Sequence, residues 1–138
     1  MLAAGALGAA ELSSLEIVTA DGKTHRFSVE LARTPEQQSQ GLMFRRTMAP
    51  DAGMLFINDP PRVMTMWMRN TFLPLDMIFF DPRGQVTRIA ERTVPLSEAI
   101  IPSGGPVLGV LEVNAGVAAR LGLKPGDRLV HPSIRRAD

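Results

Sequence analysis

The sequence predicts a single α+β domain built mainly from antiparallel strands, curled into a strongly bent sheet or a small half-open barrel. Three observations lead to this fold class. Short alternating or apolar segments recur along the chain, turn-forming residues separate them, and two short stretches have the beginning and end signals of helices. The length of 138 residues suits one domain. Two packed layers of sheet are the alternative arrangement.

Eight segments have the alternation or the short apolar run that is typical of strands. They are Leu15–Thr19, Thr24–Leu31, Gly53–Ile57, Val63–Met68, Leu75–Phe80, Gln85–Arg92, Val107–Val113 and Arg128–His131. Asp21-Gly22 joins the first two, and this dipeptide is a strong hairpin signal. A turn containing proline and glycine at 81–84 joins the fifth and sixth. The sequence therefore predicts two β-hairpins.

Two short helices are predicted, one after the second strand and one near the end of the chain. Thr34 is expected to cap the first helix, and Gln37 completes a capping box with it. Gly41 is expected to end this helix, while the second covers Val117–Leu121 and ends at the next glycine. Residues 93–106 hold three prolines and two glycines, so they are predicted to form a long loop.

The domain boundaries follow from composition at the two ends. Residues 1–13 are predicted to be disordered or the remnant of an export signal, because the first ten are small and apolar. Residues 14–132 are predicted to form the domain, and 133–138 a frayed tail. Five side chains from short apolar runs and a helix end are predicted to share one core: Leu42, Phe44, Leu55, Phe56 and Phe79.

Composition and motifs argue against several classes of function. The chain has no cysteine, which rules out disulfides, thiolate metal sites and a cysteine nucleophile. Fifteen basic and fourteen acidic residues balance, so no nucleic-acid partner is predicted. No apolar run reaches the length of a membrane span. No nucleophile, zinc or phosphate-loop motif occurs, so no cofactor or metal is predicted and binding is favoured over catalysis. The sequence gives no indication of oligomeric state.

Polar residues interrupt apolar runs at several places and are the candidates for a site. They are Arg45, Asn70, Thr71, Asp76, Asp81 and Glu112. In one interpretation, two carboxyl groups share a cleft with Arg45 and Asn70 and bind a polar ligand or act as acid and base. In the other, Arg45 and Asp76 form a partly buried ion pair, and Asn70-Thr71 satisfies the backbone at a bend. Asp81 is interpreted as a turn residue.

Methionine is concentrated in one part of the chain, with seven of the eight lying between positions 43 and 77. Three of them alternate on one face of a predicted strand: Met64, Met66 and Met68. Thioethers are soft ligands that suit Cu(I), and His25 and His131 would add imidazole. The alternative interpretation is a methionine-lined core face, because methionine fills irregular gaps.

Several strings occur together in an order that resembles the domain of unknown function 192 family. They are EQQSQGLMFR at 36–45, GMLF at 53–56, WMRNTFLPLDMIFFD at 67–81, Gly84 with Val86, VLEVNAG at 110–116 and Gly126-Asp127. The resemblance covers about 15–130 and implies a compact, mainly β fold, often with an export signal, but no established activity. One departure is that the family usually has an aromatic residue shortly before its LE motif, where this chain reads SGGPVLGV.

The leading functional hypothesis is an extracytoplasmic domain, periplasmic or secreted, that binds a small polar ligand, sugar-like or peptide-like. The cleft is expected near 67–76, with the loop at 93–106 as one wall, and Trp67 would supply a flat apolar face. The predicted ligand-binding residues are Trp67, Arg69, Asn70, Thr71, Asp76, Arg45 and Glu112. Two alternatives stay open, a periplasmic copper-handling module with methionine ligands and a carboxylate-dependent hydrolase.

Overall fold

The computed structural model describes residues 11–134, in which seven strands form one curled sheet. The strands are β1 (Leu12–Val18), β2 (Thr24–Ala32), β3 (Ala52–Met66), β4 (Leu75–Phe80), β5 (Val86–Ala90), β6 (Ile101–Asn114) and β7 (Arg128–Val130). Their order across the sheet is β5-β4-β6-β3-β2-β1-β7. Neighbouring strands are antiparallel except for the parallel pair β2 and β3. Two short helices, α1 (Pro35–Gln40) and α2 (Val117–Leu121), complete the described part of the chain.

The two edges of the sheet approach each other, so the sheet is nearly closed into a barrel. The backbone N–H of Leu129 donates to the carbonyl of Gly84 at 2.7 Å, and that of Val86 donates to the carbonyl of Asp127 at 2.7 Å. These bonds connect β7 with the turn that leads into β5. The prediction of a mainly antiparallel, strongly curled sheet with two short helices is confirmed.

The concave side of the sheet encloses the larger of two hydrophobic clusters, here called the inner core. All seven strands contribute to it, and Val117 and Ala118 of α2 pack against it. Such complete participation identifies this face as the inside of the curl. Ile134 also belongs to the inner core and is 5% exposed, although the sequence placed it in a frayed tail. Of the segment predicted at 1–13 to be disordered or a signal remnant, residues 1–10 lie outside the described residues, as does the rest of the tail, 135–138, whereas β1 already begins at Leu12.

The convex face of the sheet carries a second cluster, here called the outer core. Its fully buried members are Ala32, Leu42, Met54, Phe56, Met64, Met68, Leu73, Leu75, Met77, Phe79, Val107 and Val110. The prediction of one shared core is therefore wrong, because side chains alternate between two packed faces of the sheet. Leu55 lies in the inner core, whereas Leu42, Phe56 and Phe79 lie in the outer core. Phe44 is 60% exposed and belongs to neither.

Local sequence signals predict most of the elements correctly, but β3 and β6, which pair with each other, are longer than predicted. Both predicted hairpins are present, and Thr34 and Gln37 form the predicted capping box of α1. The segments predicted at 53–57 and 63–68 lie largely on one long strand, β3, whose pairing with β6 shifts register twice. The predicted loop at 93–106 is shorter, because β6 already begins at Ile101. Pro102 and Pro106 are accommodated where the pairing of β6 with β3 is irregular, and Pro95 precedes the strand.

Candidate functional site

An open cleft of about 820 Å³ lies over the outer core. Its walls come from α1 and the residues after it, from the segment that includes the end of β3 and continues to Thr71, and from Ile100. Phe56, Met64 and Glu112 are the most buried side chains that line the cleft on the sheet, and they form its floor. The site therefore rests on the rigid centre of the sheet, while its rim consists of irregular backbone.

Backbone hydrogen bonds hold the rim segments together. The N–H of Phe44 donates to the carbonyl of Asn70 at 2.9 Å, and the N–H of Leu96 donates to the carbonyl of Thr71 at 3.1 Å. Phe44, Asn70 and Leu96 have φ angles of 69°, 53° and 67°, in the left-handed region that residues other than glycine rarely adopt. Such conformations persist where the surrounding structure determines them, and they concentrate at binding sites.

Aromatic rings and arginines contact one another at the rim of the cleft and beside it. Trp67 is 40% exposed, and the guanidinium carbon of Arg69 lies 5.4 Å from the centre of its ring system. Phe44 and Phe72 meet edge to face with centroids 6.3 Å apart, and the guanidinium carbon of Arg46 lies 5.2 Å from the Phe72 ring centroid. Trp67, Phe44 and Arg69 line the cleft, so flat apolar surface and a cationic group are both available to a molecule that enters it. Phe72 and Arg46 lie outside the lining.

Glu112 occupies the floor of the cleft and is 4% exposed. It lies on β6, directly between Met54 of β3 and Met77 of β4 in the strand register. Within residues 11–134 its carboxyl group makes no hydrogen bond or ion pair. Burial among apolar side chains raises the pKa of Glu112 to about 8. This burial favours the neutral carboxylic acid over the carboxylate.

Asp76 is fully buried on the opposite face of the sheet and does not line the cleft. Its Oδ1 accepts the backbone N–H of Arg92 at 2.8 Å. Its Oδ2 accepts the N–H groups of Gly116 at 3.0 Å and Ala118 at 2.9 Å. The side chain thus fastens the start of α2 to β4 and satisfies backbone donors that would otherwise be buried without partners.

Arg45 pairs with Glu30 of β2, so the predicted ion pair between Arg45 and Asp76 is wrong. The pair is bidentate, with Nη2 of Arg45 donating to Oε1 of Glu30 at 2.8 Å and Nη1 donating to Oε2. This hydrogen bonding to Glu30 raises the pKa of Arg45. Arg45 does not line the cleft either. Glu30 lies on β2, and Arg45 lies in the connection from β2 to β3. The fold brings the two side chains together, and no local pattern in the sequence predicts this.

The cleft brings together five of the seven residues predicted to bind ligand. These are Trp67, Arg69, Asn70, Thr71 and Glu112. Thr71 is buried and its hydroxyl donates to the carbonyl of Arg69 at 3.0 Å, whereas the Asn70 side chain is exposed. Asp81 accepts two backbone N–H groups in the β4–β5 turn, as its interpretation as a turn residue predicted.

Residues in and after α1 line the cleft without having been predicted to do so. Gln38 is the best connected, because its Nε2 donates to the carbonyls of Ala32 at 3.1 Å and Ile57 at 3.0 Å. Its Oε1 accepts Nη2 of Arg62, another lining residue, at 3.2 Å. The EQQSQGLMFR string was the available signal, since it contains most of this wall. Ile100 comes from the predicted loop wall and lines the cleft.

Methionine sulfurs are the softest potential metal ligands in the cleft. Met43, Met64 and Met66 line it, but neither histidine does. His131 is 6% exposed, and its Nε2 lies 2.7 Å from the Ser13 hydroxyl at the other side of the sheet. Across residues 11–134 there is no group of three or more histidine, aspartate or glutamate side chains able to hold a metal ion.

Comparisons with known proteins place this architecture among related chains. A family model described as "Uncharacterized ACR" matches residues 16–131. The structure of a proposed transcription regulator from Sinorhizobium meliloti 1021 is similar, with a TM-score of 0.88, 52% identity and coverage of 90% of this chain and 96% of that chain. A protein of unknown function from Novosphingobium aromaticivorans DSM 12444 gives a TM-score of 0.85, 44% identity and coverage of 88% and 86%. No curated protein matches the chain.

One further finding concerns membranes. Among the described residues, none of the helices has the length and apolar character needed to span a bilayer.

Proposed function

This chain belongs to the domain of unknown function 192 family, DUF192, and we propose that its cleft binds a small polar ligand, sugar-like or peptide-like. The observation that carries the proposal is Glu112. This carboxyl group lies at the floor of an open cleft and has no partner in the described structure. Burying it without a hydrogen bond lowers the stability of the fold, and a ligand that hydrogen-bonds to it would offset this cost. In the proposal, Trp67 stacks on an apolar face of the ligand, while Arg69 and Asn70 make polar contacts.

Binding is favoured over the hydrolase alternative by the distribution of carboxyl groups. Glu36 and Glu112 are the acidic side chains that line the cleft. Glu36 lies in the first turn of α1 and is exposed, whereas Glu112 is buried at the floor. A two-carboxylate mechanism needs both groups beside the scissile bond, and these two occupy very different depths. We therefore propose a binding or accessory role.

The proposed setting is extracytoplasmic, either periplasmic or secreted. Its support is the run of small apolar residues at the start of the chain together with the export signals implied by the family resemblance. Adding a C-terminal tag to the gene in its own host, followed by cell fractionation, tests this setting. Recovery of the tag only from the cytoplasmic fraction would contradict it.

Isothermal titration calorimetry of the whole chain tests ligand binding. The probes are a chitin disaccharide and N-acetyl-dialanine amide, which represent the sugar-like and peptide-like classes. We expect saturable binding of one class, weakened about two- to tenfold by Trp67→Ala, because stacking on an aromatic face contributes roughly 0.5–1.5 kcal/mol. Val94→Ala is the matched control, since Val94 is 67% exposed but does not line the cleft. Equal weakening by both variants, or no saturable heat with either probe, would contradict the proposed site.

Two rival activities are tested with the same preparation. The Sinorhizobium relative is a proposed transcription regulator, but this chain has a formal net charge of +1 and no predicted basic stripe. We expect no electrophoretic mobility shift of double-stranded DNA at micromolar protein and physiological salt. Titration with Cu(I) under reducing conditions tests the thioethers of Met43, Met64 and Met66. A salt-dependent DNA shift, or stoichiometric Cu(I) binding lost in Met64→Leu, would replace the ligand proposal.

A further inference from the structure

The ionisation state of Glu112 decides which ligands the cleft accepts. A carboxylate at the floor would attract a cationic group such as an ammonium. A neutral carboxylic acid would instead donate its O–H to an uncharged oxygen and would gain nothing from a cation. These two alternatives predict opposite ligand preferences and opposite responses to pH, so the surroundings of Glu112 can be used to choose between them.

The residues beside Glu112 offer nothing that stabilises a negative charge. In the strand register it is flanked by the thioether side chains of Met54 and Met77. Phe56, the second member of the cleft floor from β3, is also apolar. These side chains provide no N–H or O–H donor, whereas a buried carboxylate needs several. The apolar floor therefore favours the protonated form.

The two arginines that line the cleft are directed to other partners. Arg62 and Arg69 line the cleft and are exposed. The guanidinium of Arg62 donates to Gln38, and that of Arg69 lies over the Trp67 ring. Glu36, the other acidic lining residue, is exposed on α1. Farther along the outer face, Arg88 of β5 lies over the Phe79 ring, with its guanidinium carbon 5.9 Å from the ring centroid, and its buried Nη1 makes no hydrogen bond among the described residues.

We infer that Glu112 acts as a neutral hydrogen-bond donor and that the cleft selects ligands presenting an uncharged oxygen acceptor, a hydroxyl or an amide carbonyl, at its floor. This inference rests on the proposed function, because it names the chemistry of the group that reaches Glu112. An ammonium group would have to be desolvated together with an ionised Glu112, which is unfavourable in so apolar a place. Burial that raises the pKa of Glu112 to about 8 is consistent with this assignment.

The first experiment measures the charge of Glu112 without any ligand. Carbon-13 NMR of side-chain carboxyl groups, with Glu112→Gln to identify the signal, follows its titration in the whole chain. We expect the Glu112 signal to stay at its protonated position up to about pH 7 and to move near pH 8. A signal already ionised at pH 6 would overturn the inference, whether or not the cleft binds a ligand.

The second experiment measures ligand preference with a matched pair of probes. N-acetyl-dialanine amide and dialanine amide differ in that the second carries an N-terminal ammonium, and N-acetylglucosamine and glucosamine form the equivalent sugar pair. At pH 6.5 we expect the acetylated member to bind at least tenfold more tightly. Its affinity should fall about tenfold per pH unit above the Glu112 pKa, as the donor proton is lost. Glu112→Gln should retain binding and remove this pH dependence, because an amide N–H also donates.

The outcomes separate the inference from the proposed function. Preference for the ammonium probe, affinity that rises with pH, or loss of acetylated-probe binding in Glu112→Gln would overturn the inference while leaving ligand binding established. No binding of any probe, together with a protonated Glu112 in the NMR titration, would contradict the proposed function instead. In that case the inferred ligand class would be contradicted together with the proposed function, and only the neutral state of Glu112 would be supported.

Discussion

Two buried carboxyl groups, Asp76 and Glu112, lie on neighbouring strands but on opposite faces of the sheet. Met77 is opposite Glu112 in the register, and Asp76 is opposite the next residue, Val113. Asp76 accepts three backbone N–H groups and is fully buried. Glu112 has no such partner in residues 11–134 and lines an open cleft. Burial alone therefore does not distinguish a structural carboxyl group from a functional one; the hydrogen-bond partners do.

The surroundings of the two groups explain the difference. On the inner face, α2 begins directly above the sheet, and its first N–H groups need acceptors. Asp76 supplies them, since the N-cap residue is Gly116 and has no side chain to do so. On the outer face, the rim segments leave a gap over Glu112. The inner carboxyl group thus completes the fold, whereas the outer one has no partner in residues 11–134 and, in our proposal, is available to a ligand.

The largest expected effect comes from the packing of the outer core beside Glu112, where Phe56 forms part of the cleft floor. Phe56 is 1% exposed in the outer core, so Phe56→Ala should destabilise the fold by about 4 kcal/mol through lost burial and a residual cavity. Urea unfolding monitored by Trp67 fluorescence measures this change. Phe44→Ala, at a ring that is 60% exposed, is the control and should cost less than about 1 kcal/mol. Similar losses in the two variants would refute the separation into core and rim.

Exchanging carboxyl for amide on each face tests the comparison directly. Asp76→Asn should destabilise the protein by about 3 kcal/mol, because an amide NH2 replaces one acceptor oxygen and meets backbone donors. Glu112→Gln at pH 6 is the matched control and should cause no loss of stability, because the amide is neutral in both states and does not have to take up a proton on folding as Glu112 does at this pH. Equal losses in urea unfolding would show that the two carboxyl groups have the same role.

The pH dependence of stability sharpens the contrast. The pKa of Glu112 is raised by burial to about 8 in the fold, above its ordinary value of 4.5. Between these values the native state holds a proton that the unfolded state has released, so the contribution of Glu112 to stability falls as pH rises. The slope from one such group is at most about 1.4 kcal/mol per pH unit. It should vanish above about pH 8, where both states are ionised.

Urea unfolding of the wild type and Glu112→Gln at several pH values between 5 and 9 measures this slope. The difference between the two proteins isolates Glu112 from the other titrating groups. We expect the variant to gain stability relative to the wild type up to about pH 8 and then to keep a constant advantage. Parallel curves across this range would mean that Glu112 is already ionised in the fold, like an exposed glutamate.

The outcome of sequence reasoning follows the range of the interactions involved. Turns, caps and alternation are local, so the hairpins, α1 with its Thr34 cap and the two-face pattern of β4 could be predicted. The alternation along β6 predicts that Glu112 faces away from Leu111 and Val113, but it does not predict that Glu112 lines a cleft. Whether its face met solvent, core or ligand depended on β3 and β4 packing beside it and on rim segments distant in the chain.

Two misplacements have the same physical origin. Phe44 looks like a core residue by type, but its φ of 69° lies in the left-handed region and its ring contacts Phe72 on the surface. The sequence suggests Asp76 as the ion-pair partner of Arg45, because a charged side chain within an apolar run needs a partner of opposite charge. In the fold Asp76 is satisfied by backbone donors, and Glu30 lies within reach of Arg45. Backbone N–H groups leave no trace in a sequence, so this satisfaction could not be anticipated.

The smallest expected effect concerns the third acidic group in this comparison, Glu30 with its partner Arg45. The side chains are 19% and 34% exposed, so solvent screens the pair even though its geometry is bidentate. A double-mutant cycle with Glu30→Gln and Arg45→Met should give a coupling free energy of about 1 kcal/mol or less in urea unfolding, decreasing with added salt. Ligand affinity should not change, since neither residue lines the cleft. A coupling free energy as large as the stability lost in Asp76→Asn would mean that a charged partner stabilises a carboxyl group as much as the backbone donors stabilise Asp76. The difference between the carboxyl groups would then depend on how deeply each is buried rather than on the kind of partner it has.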